Sequence, residues 1–108
     1  MAYDETLAAR VRALLANRSD VSERHMFGGL TFMVGGHMCC GVSRDELIVR
    51  IDPDREDEVL ARPHARPMDF TGRPMRGFVT VQPDGLKGSR LNRWVQEAIS
   101  WVTSLPPK

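Results

Sequence analysis

A glycine pair between two apolar runs constrains this chain more than any other feature. Gly35-Gly36 interrupts "GGLTFMVGGHMCCGV" (28–42), and glycine readily takes the positive φ angles of a tight two-residue hairpin. The sequence therefore predicts two antiparallel strands whose register is fixed by the turn. That register pairs Val34 with His37, Met33 with Met38, and Phe32 with Cys39.

Strict alternation along this hairpin and the following strand, "LIVRI" (47–51), sorts the side chains onto two faces of a sheet. One face is almost wholly apolar and should pack against helices; it carries Thr31, Met33, Met38, Cys40, Val42, Leu47, Val49 and Ile51. The other is mixed and carries Leu30, Phe32, Val34, His37, Cys39, Ile48 and Arg50. Because the mixed face is more apolar than a solvated face needs to be, we expect it to be covered by a partner. Its candidate interface residues, for a protein partner or a second copy in a homodimer, are Leu30, Phe32, Val34 and Ile48.

Helices flank these strands. Asp4 can cap a first helix over 4–17, and Asp52-Pro53 is a start signal for a short second one. The last helix, about 89–105, carries an apolar stripe at helical spacing: Leu91, Trp94, Val95, Ala98, Trp101, Val102 and Leu105. The fold class predicted is α+β, a single domain over 1–108. It has two layers, with a mostly antiparallel sheet of about five strands and helices on one face.

Composition narrows the class of protein. The 108 residues contain no apolar run long enough to span a membrane, and the N-terminus lacks the features of a signal peptide. Charge is uneven: residues 1–60 hold 7 Lys/Arg against 11 Asp/Glu, whereas 61–108 hold 8 against 3. A basic second half permits an anionic partner, and it equally permits the two halves to neutralise each other.

Cys39 and Cys40 are adjacent, and neighbouring Cα atoms about 3.8 Å apart lie too close for an ordinary disulfide. Free thiols indicate a reducing, cytoplasmic setting. Alternation places Cys40 in the core and Cys39 on the mixed face near Arg50, where a reactive thiolate is conceivable. Filling the core is the favoured role for both. The three histidines are scattered and predict no metal site, and the glycines form no nucleotide-binding fingerprint, so no cofactor is predicted.

Four arginines stand close together in "ARPHARPMDFTGRPMRGF" (61–78): Arg62, Arg66, Arg73 and Arg76. Guanidinium groups bind phosphates with matched, bidentate geometry, so this arginine loop is the candidate site for an anion or nucleic acid. The alternative is that the four pair with nearby carboxylates, such as those of residues 54–58 and Asp69, and that interpretation is favoured.

Three stretches together resemble the TfoX N-terminal domain family, also called TfoX/Sxy: "MFGGLTFMVGGHMCCGV" (26–42), "ARPHARPMDFTGRPMRGFV" (61–79) and the final Trp-containing helix with "SLPPK" (104–108). The resemblance implies a two-layer antiparallel α/β fold in a bacterial cytoplasm. It also implies a regulatory role, because the namesake proteins are transcriptional co-activators of competence. They carry a second, C-terminal domain that these 108 residues do not include. The family supplies no catalytic residues.

The function predicted is therefore a non-catalytic regulatory or binding module that contacts protein or nucleic acid. Two alternatives stay open: a small anion- or nucleotide-binding protein at the arginine loop, and a small thiol enzyme using Cys39.

Overall fold

A computed structural model describes residues 3–26, 28–69 and 74–106. Three helices and six strands make up the fold. In chain order they are α1 Glu5–Leu14, β1 Val21–Met26, β2 Gly29–Val34, β3 His37–Ser43, β4 Glu46–Arg50, α2 Glu56–Leu60, β5 Ala65–Asp69, β6 Pro74–Val81 and α3 Ser89–Thr103. Short 3₁₀ turns, Pro53–Arg55 and Pro83–Leu86, precede α2 and α3. None of the helices in these ranges is long and apolar enough to cross a membrane.

The six strands form one open antiparallel sheet in the order β1-β2-β3-β4-β6-β5. Apolar residues of all three helices pack on one face, so the α+β class is confirmed. The strand missing from the sequence prediction is β1, "VSERHM", whose side chains are exposed or half-buried. A polar edge strand gives no apolar alternation, which is why the sequence does not reveal it.

The hairpin turn is where the sequence places it, with φ of 59° at Gly35 and 84° at Gly36. Val34 pairs with His37 and Met33 with Met38, as predicted. Beyond that the predicted register is wrong, because Phe32 pairs with Cys40 and the register shifts between Phe32 and Met33. One extra residue of β3, Cys39, is accommodated there as a β-bulge.

The bulge corrects the assignment of faces along β2. Leu30, Phe32 and Val34 lie in the main core beneath the helices, with exposed fractions of 3%, 0% and 1%. They therefore cannot form the predicted interface on the opposite face. The prediction assumed strict alternation of side chains through both strands of the hairpin. The extra residue in β3 breaks that alternation, so Cys40 and Val42 lie on the same face as Phe32 and Leu30, the face covered by the helices.

A second, smaller cluster lies on the sheet face away from the helices. It consists of Met33, Met38, Ile48 and Met68, with Phe78 packed against it. Ile48, the fourth interface candidate, is on this face as predicted but only 6% exposed. The guanidinium of Arg50 lies 5.9 Å from the Phe78 ring centroid. Apolar surface on this face is thus largely covered within the chain itself.

The helices begin and pack as their sequences indicate. The side chain of Asp4 accepts hydrogen bonds from the backbone N–H groups of Thr6 and Leu7, at 2.8 and 3.1 Å, and so caps α1. The stripe of α3 faces the sheet, and its buried residues are Leu91, Trp94, Val95, Ala98, Ile99 and Val102. This orientation leaves the polar side of α3 free to line a surface groove.

Candidate functional site

A groove of about 870 Å³ runs beside α3. Its other wall is the segment 62–64 that follows α2, and Gly85 of the second 3₁₀ turn lies at its margin. The residues that line it are Arg62, Pro63, His64, Gly85, Arg90, Arg93, Trp94, Gln96, Glu97 and Ser100. Its size falls within the range of about 300–1,000 Å³ that is typical of ligand sites in proteins. We call it the α3 groove.

Arg62 makes two side-chain contacts in this groove, with Glu97 and with Trp94. Its guanidinium makes a two-pronged ion pair with Glu97: Nη2 donates to Oε1 at 2.9 Å, and Nη1 contacts Oε2 more closely. The same guanidinium lies 5.2 Å from the centroid of the Trp94 ring, within the range of a cation–π interaction. Arg62 is therefore held by an ion pair with Glu97 and by a cation–π contact with Trp94.

Glu97 is shared by two arginines. Nη2 of Arg55 lies 3.4 Å from Oε1 of Glu97, in addition to the contacts from Arg62. Hydrogen bonding to Arg62 lowers the pKa of Glu97, and the positive charges of both arginines act in the same direction. The same hydrogen bond raises the pKa of Arg62. This carboxylate is ionised at neutral pH and has its oxygens occupied.

The arrangement leaves Arg93 without the partner that its position predicts. Arg93 and Glu97 are four residues apart on α3, a spacing that ordinarily supports an ion pair. Because Glu97 pairs with Arg62 and Arg55, Arg93 makes no ion pair within the described residues. Arg90 donates from Nη1 to the carbonyl oxygen of Asp84 at 3.0 Å and likewise has no carboxylate partner there. The groove carries an excess of positive charge.

Two backbone features shape the wall opposite α3. His64 has a φ of 68°, which is uncommon for a residue other than glycine, and its carbonyl oxygen accepts a 2.9 Å hydrogen bond from Gln82 N–H. A Cβ at Gly85 would lie 2.8 Å from the Cβ of His64. The close approach of the two segments therefore requires glycine at position 85.

Comparison with known proteins now bears on identity. The family model described as TfoX N-terminal domain matches residues 13–101 of the 108. The chain belongs to the TfoX N-terminal domain family. No curated protein and no solved structure gives a match. The resemblance drawn from the sequence is confirmed, and the match covers the sheet and all of the residues that line the α3 groove.

In this family member the candidate arginines that the structure describes, Arg62, Arg66 and Arg76, differ in their surroundings. Arg62 lines the α3 groove on the helix side of the sheet. Arg66 extends from β5 and pairs through Nη2 with Oε1 of Glu46 at 2.7 Å. Arg76 is exposed on β6, and Arg73 lies outside the described residues. Arg62 and Arg66 thus both make internal ion pairs. Arg62 contacts the expected Glu58, with Nη2 3.9 Å from Oε1, but its closer partner is Glu97, and Arg66 pairs with Glu46, so neither Glu97 nor Glu46 was among the partners expected.

The thiols lie where substrates cannot reach them. Cys39 and Cys40 are both 0% exposed and belong to the main core. The predicted position of Cys39, on the mixed face near Arg50, is wrong because the bulge turns it inward. A hydrogen bond with Cys39 and burial raise the pKa of Cys40 well above its ordinary value. A buried thiol of high pKa is a poor nucleophile.

The groove was not predicted from the sequence. Trp94 was assigned to the apolar stripe of the last helix, and Arg90, Arg93 and Glu97 were given no functional role. A usable signal was present: two arginines three residues apart and an aromatic beside them on one helix.

In the part of the chain that the structure describes, no group of three or more His, Cys, Asp or Glu is placed to hold a metal ion.

Proposed function

We propose that this chain is a non-catalytic binding module that acts in regulation, of transcription or competence, by contacting an anionic partner through the α3 groove. The observation that carries the proposal is the pair Arg90 and Arg93. Both line a cavity of ligand-binding size, and neither has a carboxylate partner among the described residues. Membership of the TfoX N-terminal domain family supports the regulatory setting.

The electrostatics of the groove favour an anion. Its charged lining consists of three arginines and one glutamate, and that glutamate is already neutralised by Arg62 and Arg55. An arginine that lacks an internal partner can form charge-assisted, bidentate bonds with a phosphate or carboxylate. The apolar walls, formed by Pro63, the edge of Trp94 and the arginine stems, provide contact area around that anchor.

A thiol enzyme is a weaker interpretation. Its proposed nucleophile, Cys39, is fully buried, and nucleophilic catalysis requires an accessible thiolate. Burial of Leu30, Phe32 and Val34 likewise removes most of the surface first considered for a protein partner or homodimer. The α3 groove is the better-supported contact surface.

The test is retention on immobilised heparin, a polyanion without base sequence, eluted with a salt gradient. We expect Arg93→Ala to elute at lower salt than wild type, because each cation that neutralises a bound anion contributes to the salt dependence. The matched control is Arg24→Ala, which removes an exposed arginine from the edge strand β1. Both variants lose one positive charge, so net charge alone predicts equal shifts.

Two results would count against the proposal. If the wild-type protein passes through heparin at low salt, the α3 groove does not bind a polyanion. If both variants elute together, the α3 groove is not the contact surface. In that case the arginine loop is tested next with Arg66→Ala and Arg73→Ala, which should weaken binding to nucleic acid and flatten its salt dependence.

A further inference from the structure

The Trp94–Arg62–Glu97 arrangement also indicates which class of anion the groove accepts, provided that the proposed function holds. Guanidinium groups on protein surfaces are usually mobile, since an arginine side chain loses considerable rotamer freedom when it is ordered. Here the guanidinium of Arg62 already has two partners within the chain, the carboxylate of Glu97 and the ring of Trp94. Binding against it therefore costs little additional ordering.

Arg62 offers the groove a planar surface rather than free hydrogen-bond donors. Two of its nitrogens are bonded to Glu97, so it is poorly placed to bind a phosphate. Its side chain is nevertheless 32% exposed and lines the groove, and its guanidinium carbon lies over the Trp94 ring, 5.2 Å from the centroid. Guanidinium planes stack on aromatic rings, including unpaired bases of nucleic acids. The open part of Arg62 suits a flat, conjugated group.

The donors available to an anion lie further along α3. With a rise of about 1.5 Å per residue, Arg93 and Arg90 lie about 6 and 10 Å from Glu97 along the helix axis. Neither has a carboxylate partner within the described ranges. A ligand that places a flat group on Arg62 would therefore place an anionic group, one or two helical turns away, beside Arg93 and Arg90.

We propose that the α3 groove binds a nucleoside phosphate, with the base stacked on Arg62 and the phosphate held by Arg93 and Arg90. The same unit occurs as a free mononucleotide and as one residue of an unpaired strand. In a duplex the base is stacked within the helix and cannot lie on Arg62. Inorganic phosphate lacks the flat group, and a nucleoside lacks the charge, so each satisfies only half of the site.

Isothermal titration calorimetry on the wild-type protein tests this directly. The probes are AMP, ribose 5-phosphate, adenosine and a short oligo(dA), the last both single-stranded and annealed to oligo(dT). We expect AMP, the single strand or both to bind at least about tenfold more tightly than ribose 5-phosphate, which lacks the stacked base, and than adenosine, which lacks the phosphate, since stacking and a charge-assisted contact each contribute about that much or more. Binding by AMP indicates a free nucleotide as the source, and binding by the strand alone indicates nucleic acid.

Variants then locate the site. Arg93→Ala should lower the affinity for whichever probe binds by about tenfold or more, which is the effect of losing one charge-assisted contact. Arg24→Ala should leave that affinity unchanged. Arg62→Lys keeps the positive charge but removes the planar guanidinium group. It should therefore lower the affinity for AMP and leave the affinity for ribose 5-phosphate unchanged. If Arg62→Lys fails to fold, the wild-type comparison of AMP with ribose 5-phosphate still decides the role of the base.

Three outcomes would overturn the proposal: equal affinities for AMP and ribose 5-phosphate with no preference for the single strand, no binding of any probe, or equal effects of Arg93→Ala and Arg24→Ala. Each is separable from failure of the proposed function. Heparin retention that still depends on Arg93 would show that the groove binds an anion of a different class.

Discussion

Replacing Glu97 by glutamine should destabilise the folded protein measurably at neutral pH. Glutamine keeps the shape and one acceptor oxygen but loses the charge that holds Arg62 and Arg55. Exposed ion pairs contribute about 0–1 kcal/mol, and hydrogen bonds to charged groups about 1.5–3 kcal/mol. The side chain of Glu97 is 30% exposed, so the loss should lie between these cases, at about 1–2 kcal/mol. For a domain of this size that corresponds to a fall in Tm of roughly 5–10 °C.

The effect should depend on pH in a defined direction. Glu97 has a lowered pKa in the folded state, so its contribution is fully present above the unfolded-state pKa, and it is lost as the pH falls through the folded-state pKa. The difference between wild type and Glu97→Gln should therefore be constant near neutrality and shrink below about pH 4. Urea denaturation at neutral pH and at about pH 3 measures it.

The matched control is Asp45→Asn, which removes an exposed carboxylate from the turn between β3 and β4. It should change the free energy of unfolding by less than about 0.5 kcal/mol. Equal costs for the two variants at neutral pH would refute the structural role assigned to Glu97. A cost for Glu97→Gln that persists undiminished in acid would show that its charge is not responsible.

Three further predictions follow from burial and close contact. Phe32→Ala should lower the free energy of unfolding, measured by urea denaturation, by about 3–5 kcal/mol, because Phe32 is 0% exposed. A loss below about 1 kcal/mol would contradict its position in the main core and favour the sheet face away from the helices. Cys39 and Cys40 should react with Ellman's reagent slowly in the native protein and rapidly in urea, so immediate native labelling would contradict their burial. Gly85→Ala should lower the free energy of unfolding by about 1–3 kcal/mol, because the added Cβ would clash with His64. An unchanged Tm would show that the segment moves to relieve this contact.

Features set by local pattern were predictable from the sequence. The apolar stripe of α3 and the turn at Gly35-Gly36 depend on periodicity and on glycine's conformational freedom, and both are confirmed. The bulge at Cys39 was not predictable from alternation. All six residues of β2 are buried, so the strand is apolar on both faces and its pattern does not distinguish helix side from opposite side. A single extra residue in β3 then decides the faces.

The candidate site depends on contacts that no local pattern encodes. Arg62 and Glu97 are 35 residues apart in sequence, and only the packing of α3 beside the end of α2 brings them together. The composition of residues 61–78 does indicate that their guanidinium groups either bind an anion or pair internally. Local spacing does not indicate Glu97 as the partner of Arg62, because Arg93 lies four residues from Glu97 on the same helix and is the nearer choice.

Ion pairs between the acidic first half and the basic second half show how far the two halves neutralise each other. Among the described residues, three ion pairs join the first 60 residues to the remainder of the chain: Arg66 with Glu46, Arg62 with Glu58 and Arg55 with Glu97. In the pair of Arg55 with Glu97, an arginine from the acidic first half contacts one of the 3 Asp/Glu residues of the basic second half. Neutralisation between the halves is therefore incomplete near α3. Because Glu97 is shared by Arg55 and Arg62, the ion pair that orders Arg62 against Trp94 also leaves Arg93 available. The same contact thus ties α3 to the segment after α2 and leaves in the groove the arginine, unpaired among the described residues, on which the proposed anion site depends.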